Sequence, residues 1–402
     1  MIVAIILIAS SIFLLPLRND IITIPEPIYT KEDVILSNIN THEDDKVDKA
    51  DWEKNAIQWL VESQSPNGGW GAGSHQFQNL RDPHIVQTDP ATTSFAAMAL
   101  LKAGGPLKSN PYKTQIIKAL DRILIDISNR PDNGRITSLD GTQPQVKLGM
   151  NIDASMALEF LTAVTGQLDD KELENKVGDA AKICIDLIQN SQNANGGWAG
   201  GGWAPVLQSA MANNALENAD AKYDVNQKAI ENSRKYQAEN MQSGEDAAGI
   251  PLYAVASAQR ASSTEAKEAS NFLPASVMSD FNNGVIEESV ITKELEATGM
   301  TKEKAMRLAK SYAVNQASTK SLQSEAIWEG FGNNGGEEYL SYMLTSEALA
   351  QQNKDEWLKW KQNIEPKFKQ SQNPNGSWSG HHCITSPVFC TAAIVQALNV
   401  RA

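Results

Sequence analysis

Apolar residues recur at spacings of three, four and seven through most of the chain after residue 50. Ala56, Ile57, Leu60 and Val61 form one such stripe, and Ile116, Ile117, Leu120 and Leu124 another. Val177, Ala181, Cys184 and Ile188 repeat the pattern, as do Trp357, Leu358, Trp360 and Ile364. These spacings place one apolar face on an α-helix and predict amphipathic helices covered on one side. Between them stand segments that are apolar on nearly every side: Phe95 to Leu101, Met156 to Leu161 and Thr391 to Leu398. A helix of that kind is buried all round. No strand-like alternation runs for a useful length, so the pattern predicts an all-α chain of alternating outer and inner helices.

One heptad punctuates the alternation three times. It reads QSPNGGW at Gln64 to Trp70, QNANGGW at Gln192 to Trp198 and QNPNGSW at Gln372 to Trp378. The tryptophans lie 128 and 180 residues apart, which is two steps of 64 and three of 60. A period of this size marks a repeat architecture in which each unit buries its face against the next. The unit is an outer helix, a turn and an inner helix. Asn-Gly supplies the positive φ of a sharp reversal, and the Trp offers a broad surface to close the seam with the neighbouring unit. Weaker turns near Asn133 and Gly134, ahead of an inner helix from Asp153, and at Asn333 to Gly336, with a further inner helix from Asp246, bring the number of helical hairpins to six over residues 51–402. Residues 264–300 interrupt the spacing and read as a polar insertion.

The N-terminus differs. Residues 1–17 are apolar apart from Ser10 and Ser11, and Arg18 ends the run. The expectation for 1–18 is a hydrophobic helix that anchors the protein in a membrane, or an uncleaved signal. Residues 19–50, with Pro25, Pro27 and the acids Glu43, Asp44, Asp45 and Asp48, read as a flexible acidic linker. Such a protein is membrane-anchored, and both orientations stay open, including one with the domain on the periplasmic or extracellular side. Lys and Arg total 35 against 48 Asp and Glu, a net charge of −13. That excludes a nucleic-acid partner, which needs a basic surface. Three cysteines exclude a disulfide scaffold.

The heptads resemble the QW-type repeats of the terpene cyclase and protein prenyltransferase superfamily. The resemblance covers roughly 51–402 and implies an (α/α)6 toroid, two concentric rings of helices about a central cavity. The periods alone fit an open α-solenoid equally well. The family's chemistry can be sought residue by residue. Class II cyclases protonate a polyene with the middle acid of Asp-x-Asp-Asp-Thr-Ala. The nearest stretch here is Asp89 to Ser94, DPATTS, which puts Ala91 in the donor's place. Prenyltransferases hold zinc through Asp-x-Cys and a distant His, and no Asp-x-Cys occurs. The thioester signature Cys-Gly-Glu-Gln is also missing.

Candidate chemistry remains at two places. Asp89, Asp153, Asp246, Glu337 and Glu338 recur where inner helices begin, and would gather at one mouth of a ring. Capping accounts for acids at helix N-termini without any ligand. Glu337 and Glu338, followed by Tyr339 and Tyr342, exceed what capping requires. They are the candidate catalytic residues together with Asp89, while Tyr339, Tyr342, Asp153 and Asp246 are the candidate ligand contacts. His381, His382, Cys383 and Cys390 have the ligand types of a zinc site, though not its usual paired spacing. A Cys383–Cys390 disulfide and a plain pair of buried thiols are the alternatives. The leading expectation is a non-catalytic binding or scaffold domain for an apolar small molecule, a peptide or a membrane-associated protein. The alternative is a cyclase- or prenyltransferase-like enzyme acting on an isoprenoid, which would need an aromatic-lined chamber.

Overall fold

The computed structural model describes residues 49–198, 200–330 and 335–400. The expected anchor at 1–18, the linker up to residue 48, and Asn333 and Asn334 lie outside them. The described residues form one compact unit, all helical apart from turns, short 3-10 segments and one isolated bridge between Ser74 and Thr142.

Six outer helices alternate with six inner ones. The outer set is α1 (Asp51–Glu62), α3 (Lys113–Ser128), α6 (Lys171–Asn190), α8 (Gln227–Ser243), α12 (Lys302–Ser321) and α15 (Lys354–Ser371). The inner set is α2 (Pro90–Gly104), α5 (Ile152–Val164), α7 (Pro205–Asp220), α9 (Pro251–Phe272), α14 (Gly336–Gln352) and α16 (Pro387–Leu398). Four short helices are inserted: α4 (Gln143–Leu148), α10 (Ala275–Asn282), α11 (Glu288–Ala297) and α13 (Glu325–Trp328). Each inner helix packs against the next in chain order, and α16 returns to α2. The inner layer is therefore cyclic. Burial follows the sequence pattern. On α3 only Ile116, Ala119, Leu120, Ile123 and Ile127 are buried, whereas α2 is buried from Pro90 to Leu101 without a break. The fourth inner helix begins at Pro251, five residues beyond Asp246, because the chain first makes a turn through Gly249.

The three heptads fold alike. The Gly at positive φ is Gly68, Gly196 or Gly376. The indole N–H of each Trp donates backwards to the outer helix of its own unit: Trp70 to the Leu60 carbonyl, Trp198 to Ile188 and Trp378 to Phe368, at 2.8–2.9 Å. Each Trp backbone N–H meets a hydroxyl on the following inner helix, Thr93, Ser209 or Thr391. The heptad's Gln bridges the seam to the next unit, and at the last seam Trp378 also meets the Trp52 ring of α1 edge-on, with 6.1 Å between centres. Gln64 Nε2 donates to the Gln115 carbonyl on α3, Gln192 to Ala229 on α8 and Gln372 to Trp52 on α1. The last of these joins the sixth hairpin to the first.

The stretch 264–300 is helical. The second half of α9 and the first half of α12 run on together and enclose α11 through a separate small core of Ala266, Ala269, Leu273, Ile291, Leu295, Leu308 and Tyr312. Four of the nine buried residues of that core are alanines, Ala305 and Ala309 included, and residues this small mark a helix face weakly. Among the described residues no helix is long and apolar enough to cross a membrane.

Candidate functional site

The interior of the helix ring is filled. Inner helices that faced a wide channel would expose a stripe, yet α14 is buried from Gly336 to Ala350 and α16 along its whole length. Beyond their first two turns, one polar residue from each of the six inner helices enters a buried hub. Lys102 Nζ of α2 donates to Glu347 Oε1 of α14 at 2.5 Å and to Gln396 Oε1 of α16 at 2.9 Å. Arg260 of α9 meets the other Glu347 oxygen at 3.2 Å. Asn214 of α7 donates to Glu347 and to Glu159 of α5, and accepts from Arg260. Burial pushes Glu159 up to about 7, helped by the Glu347 charge. Burial acts on Glu347 in the same sense, but Lys102 and Arg260 outweigh it and hold that carboxyl below its usual range. From the hub a chain of ion pairs runs outwards through Glu217, Arg234, Glu265 and Arg307.

The opposite ends of the inner helices, with the loops that precede them, make the mouth. Asp89 caps α2, accepting from the N–H groups of Thr92 at 2.8 Å and Ala72 at 2.9 Å. Asp153 in the first turn of α5 reaches across to the Ala91 N–H at 3.2 Å and accepts from Gln145 Nε2 at 2.7 Å. The start of α2 at Ala91 thus has an acid from the neighbouring helix beside it. Glu337 accepts from the Ile384 N–H, and Glu338 accepts from the Gly335 N–H at 2.8 Å. Burial raises Asp89 to about 6, Asp153 to about 7 with the Asp89 charge adding to it, and Glu337 to about 7 with Glu338 adding to it. Tyr253 of α9 lies beside both glutamates, and its phenol is pushed up by burial and by their charges.

These shifts set a pH dependence. The three carboxyls titrate higher in the folded chain than in the unfolded one, so the stability they contribute is present below about pH 4 and is lost as pH rises through 6–7. Denaturant unfolding is expected to show a less stable protein at pH 8 than at pH 5, by at least about 1 kcal/mol, and Asp153→Asn is expected to flatten the curve. An unchanged slope in that variant would remove Asp153 from the account.

The other sequence candidates are placed elsewhere or do other work. Tyr339 and Tyr342 turn outwards against α15: both rings contact Phe368, and the Tyr342 hydroxyl bonds the Trp328 carbonyl and Lys367. Asp246 is apart from the other acids and accepts from the Tyr236 hydroxyl of α8 at 2.6 Å. Phe95 and Phe389 stack on each other at 4.8 Å between α2 and α16. Cys390 is buried with its thiol 3.7 Å from the Ile384 carbonyl, and Cys383 sits half-buried at φ 60°. All three cysteines are free, so the Cys383–Cys390 bond is not formed. His382 faces Glu338 at 3.9 Å and His381 is exposed. Among the described residues no three of His, Cys, Asp and Glu converge in a metal-holding arrangement, so the set His381, His382, Cys383 and Cys390 does not fit zinc. Sequence reasoning missed the hub, and it missed Lys147 and Gln143 of α4 at the mouth. Neither carries a motif.

Comparison with protein families matches residues 27–120 to the squalene-hopene cyclase C-terminal domain. That segment, described from residue 49 onwards, holds the first heptad, the cap at Asp89 and the first hairpin. Over that segment the chain is similar to a domain of the terpene cyclase and prenyltransferase type. No curated protein matches the chain.

Proposed function

We propose that the cyclic helix layers are an (α/α)6 toroid of the terpene cyclase and prenyltransferase type, used as a binding domain at its mouth rather than as a hydrocarbon-processing chamber. The apolar run at residues 1–17 supports its tethering at a membrane surface. The observation that carries the reading is the hub, which fills the ring with charge where a polyene would need an apolar cavity. Phe95 and Phe389 are spent on each other, and Tyr339 and Tyr342 on the outer layer. A polyene or prenyl diphosphate incubated with purified protein is expected to be recovered intact. Formation of a cyclised or transferred product, lost in Glu337→Gln or Asp153→Asn, sinks the binding reading.

One feature favours the enzymatic alternative. Asp153 is a buried carboxyl that holds its proton near neutrality, next to the position of the family's donor. Both its oxygens are already hydrogen-bonded within the protein, however, which favours a positioning role over delivery of a proton to carbon.

A further inference from the structure

Several buried polar atoms at the mouth have no partner among the described residues. The Lys147 side chain is largely buried, and its ammonium lies 4.6 Å from the centre of the Trp203 ring. One turn back on α4, Gln143 uses its carbonyl oxygen to receive the N–H groups of Thr385 and Ser386, while its Nε2 is buried and unbonded. Gln208, in the first turn of α7, has both its amide nitrogen and oxygen buried and unbonded. Glu338 Oε1 is buried and makes no hydrogen bond, and the His382 ring faces it at 3.9 Å. Each such atom costs about 1–3 kcal/mol when left dry, and each calls for a ligand or water.

These side chains sit on elements that touch. Lys147 gives its carbonyl to the N–H groups of Trp203 and Ala204. Gly200, in the same Gly-rich segment, packs its backbone against Met150 and the Gln208 amide. At Gly202 a Cβ would come within 2.5 Å of the Gly149 nitrogen, so only glycine lets this segment lie flat on the end of α4. The result is an aromatic ring, 69% exposed, held over the Lys147 ammonium. An exposed Trp fixed in that way is a recognition surface rather than a packing residue.

We propose that the mouth binds an acidic sugar, with Lys147 receiving its carboxylate, Trp203 covering the apolar face of its ring, and Gln143, Gln208 and Glu338 bonding its hydroxyls. This rests on the binding reading above and names the ligand class for it. Hydroxyls suit the unpartnered set because each both donates and accepts, and the set contains both kinds of atom. A carboxylate suits Lys147 better than a phosphate does. Glu337 lies close enough to feel the lysine's charge, with Glu338 next to it, and a dianion would be brought up against both.

Isothermal titration of the purified domain with D-glucuronate and with a short oligogalacturonate tests the assignment, using glucose and acetate as controls. Saturable uronate binding is expected, weakened at least about tenfold by Lys147→Met, restored by Lys147→Arg, and lost in Trp203→Ala. Glucose is expected to bind weakly and equally to the parent and Lys147→Met. Two results overturn the acidic sugar: no saturable binding of either uronate, or binding that Lys147→Met leaves unchanged. Acetate binding as tightly as glucuronate overturns it as well. A neutral ligand held at the mouth independently of Lys147 would leave the binding reading intact while removing this ligand class, whereas isoprenoid turnover would remove the reading itself. Thermal melts of each variant separate lost binding from lost folding.

Discussion

Glu347→Ala is expected to destabilise the domain by about 3–5 kcal/mol and to lower its thermal midpoint by several degrees. Glu347 receives Lys102 on one oxygen and Arg260 and Asn214 on the other, in the middle of the six inner helices. Removing it strands two cations away from water, and an uncompensated buried charge costs more than the pair contributed. The same logic predicts rescue. A triple variant, Glu347→Leu with Lys102→Met and Arg260→Met, removes all three charges and keeps the volume. It is expected to recover most of the loss, since apolar replacement of a buried ion cluster is often neutral. Equilibrium denaturation of the two proteins checks both halves. If Glu347→Ala unfolds at the parent's midpoint, the hub does not hold the ring.

The hub also shows where sequence reasoning stopped. Each of its members is one polar residue on a different inner helix, and each stands tens of residues from the next. Lys102 follows FAAMALL, and Gln396 interrupts TAAIVQAL. Local periodicity treats such a residue as an isolated imperfection. Its meaning appears only when six helices are brought round one axis and the imperfections coincide. The helices themselves were legible, because an amphipathic stripe and an all-round apolar run are local properties.

The mouth was half legible. Asp89, Asp153, Glu337 and Glu338 begin inner helices, and capping chemistry brings acids there whatever the function. The structure adds that Asp153 crosses to its neighbour at Ala91, which no spacing along the chain encodes. Tyr339 and Tyr342 misled for a geometric reason. A separation of three puts both on one face of α14, and that face meets Phe368 of the outer layer. Lys147 and Trp203 are 56 positions apart and belong to no repeat, so only their contact makes them a pair.

The heptads carry the second large effect, through their central glycines. Gly196 has φ 91°, and a Cβ there would lie 2.3 Å from the Asn232 carbonyl oxygen on α8. Gly68 meets the Lys118 carbonyl on α3 in the same way, at 2.5 Å. An alanine at Gly196 must therefore both adopt a left-handed backbone and push away the outer helix of the next hairpin. The same push stretches the bond from Gln192 to the Ala229 carbonyl, which spans that seam at 2.8 Å. The expected cost of Gly196→Ala is about 2–4 kcal/mol. Gly134 supplies the control. It follows an asparagine, as the heptad glycines do, and has φ 79°, but nothing lies within 4 Å of its Cβ position. Gly134→Ala bears the backbone strain alone, about 1 kcal/mol. Gln192→Ala is expected to fall between the two, and adding it to Gly196→Ala should cost less than the sum, because both act on one seam. Equal denaturation midpoints for Gly196→Ala and Gly134→Ala would mean that the neighbouring helix yields freely, and the heptad would then be a turn signal with no part in closing the ring.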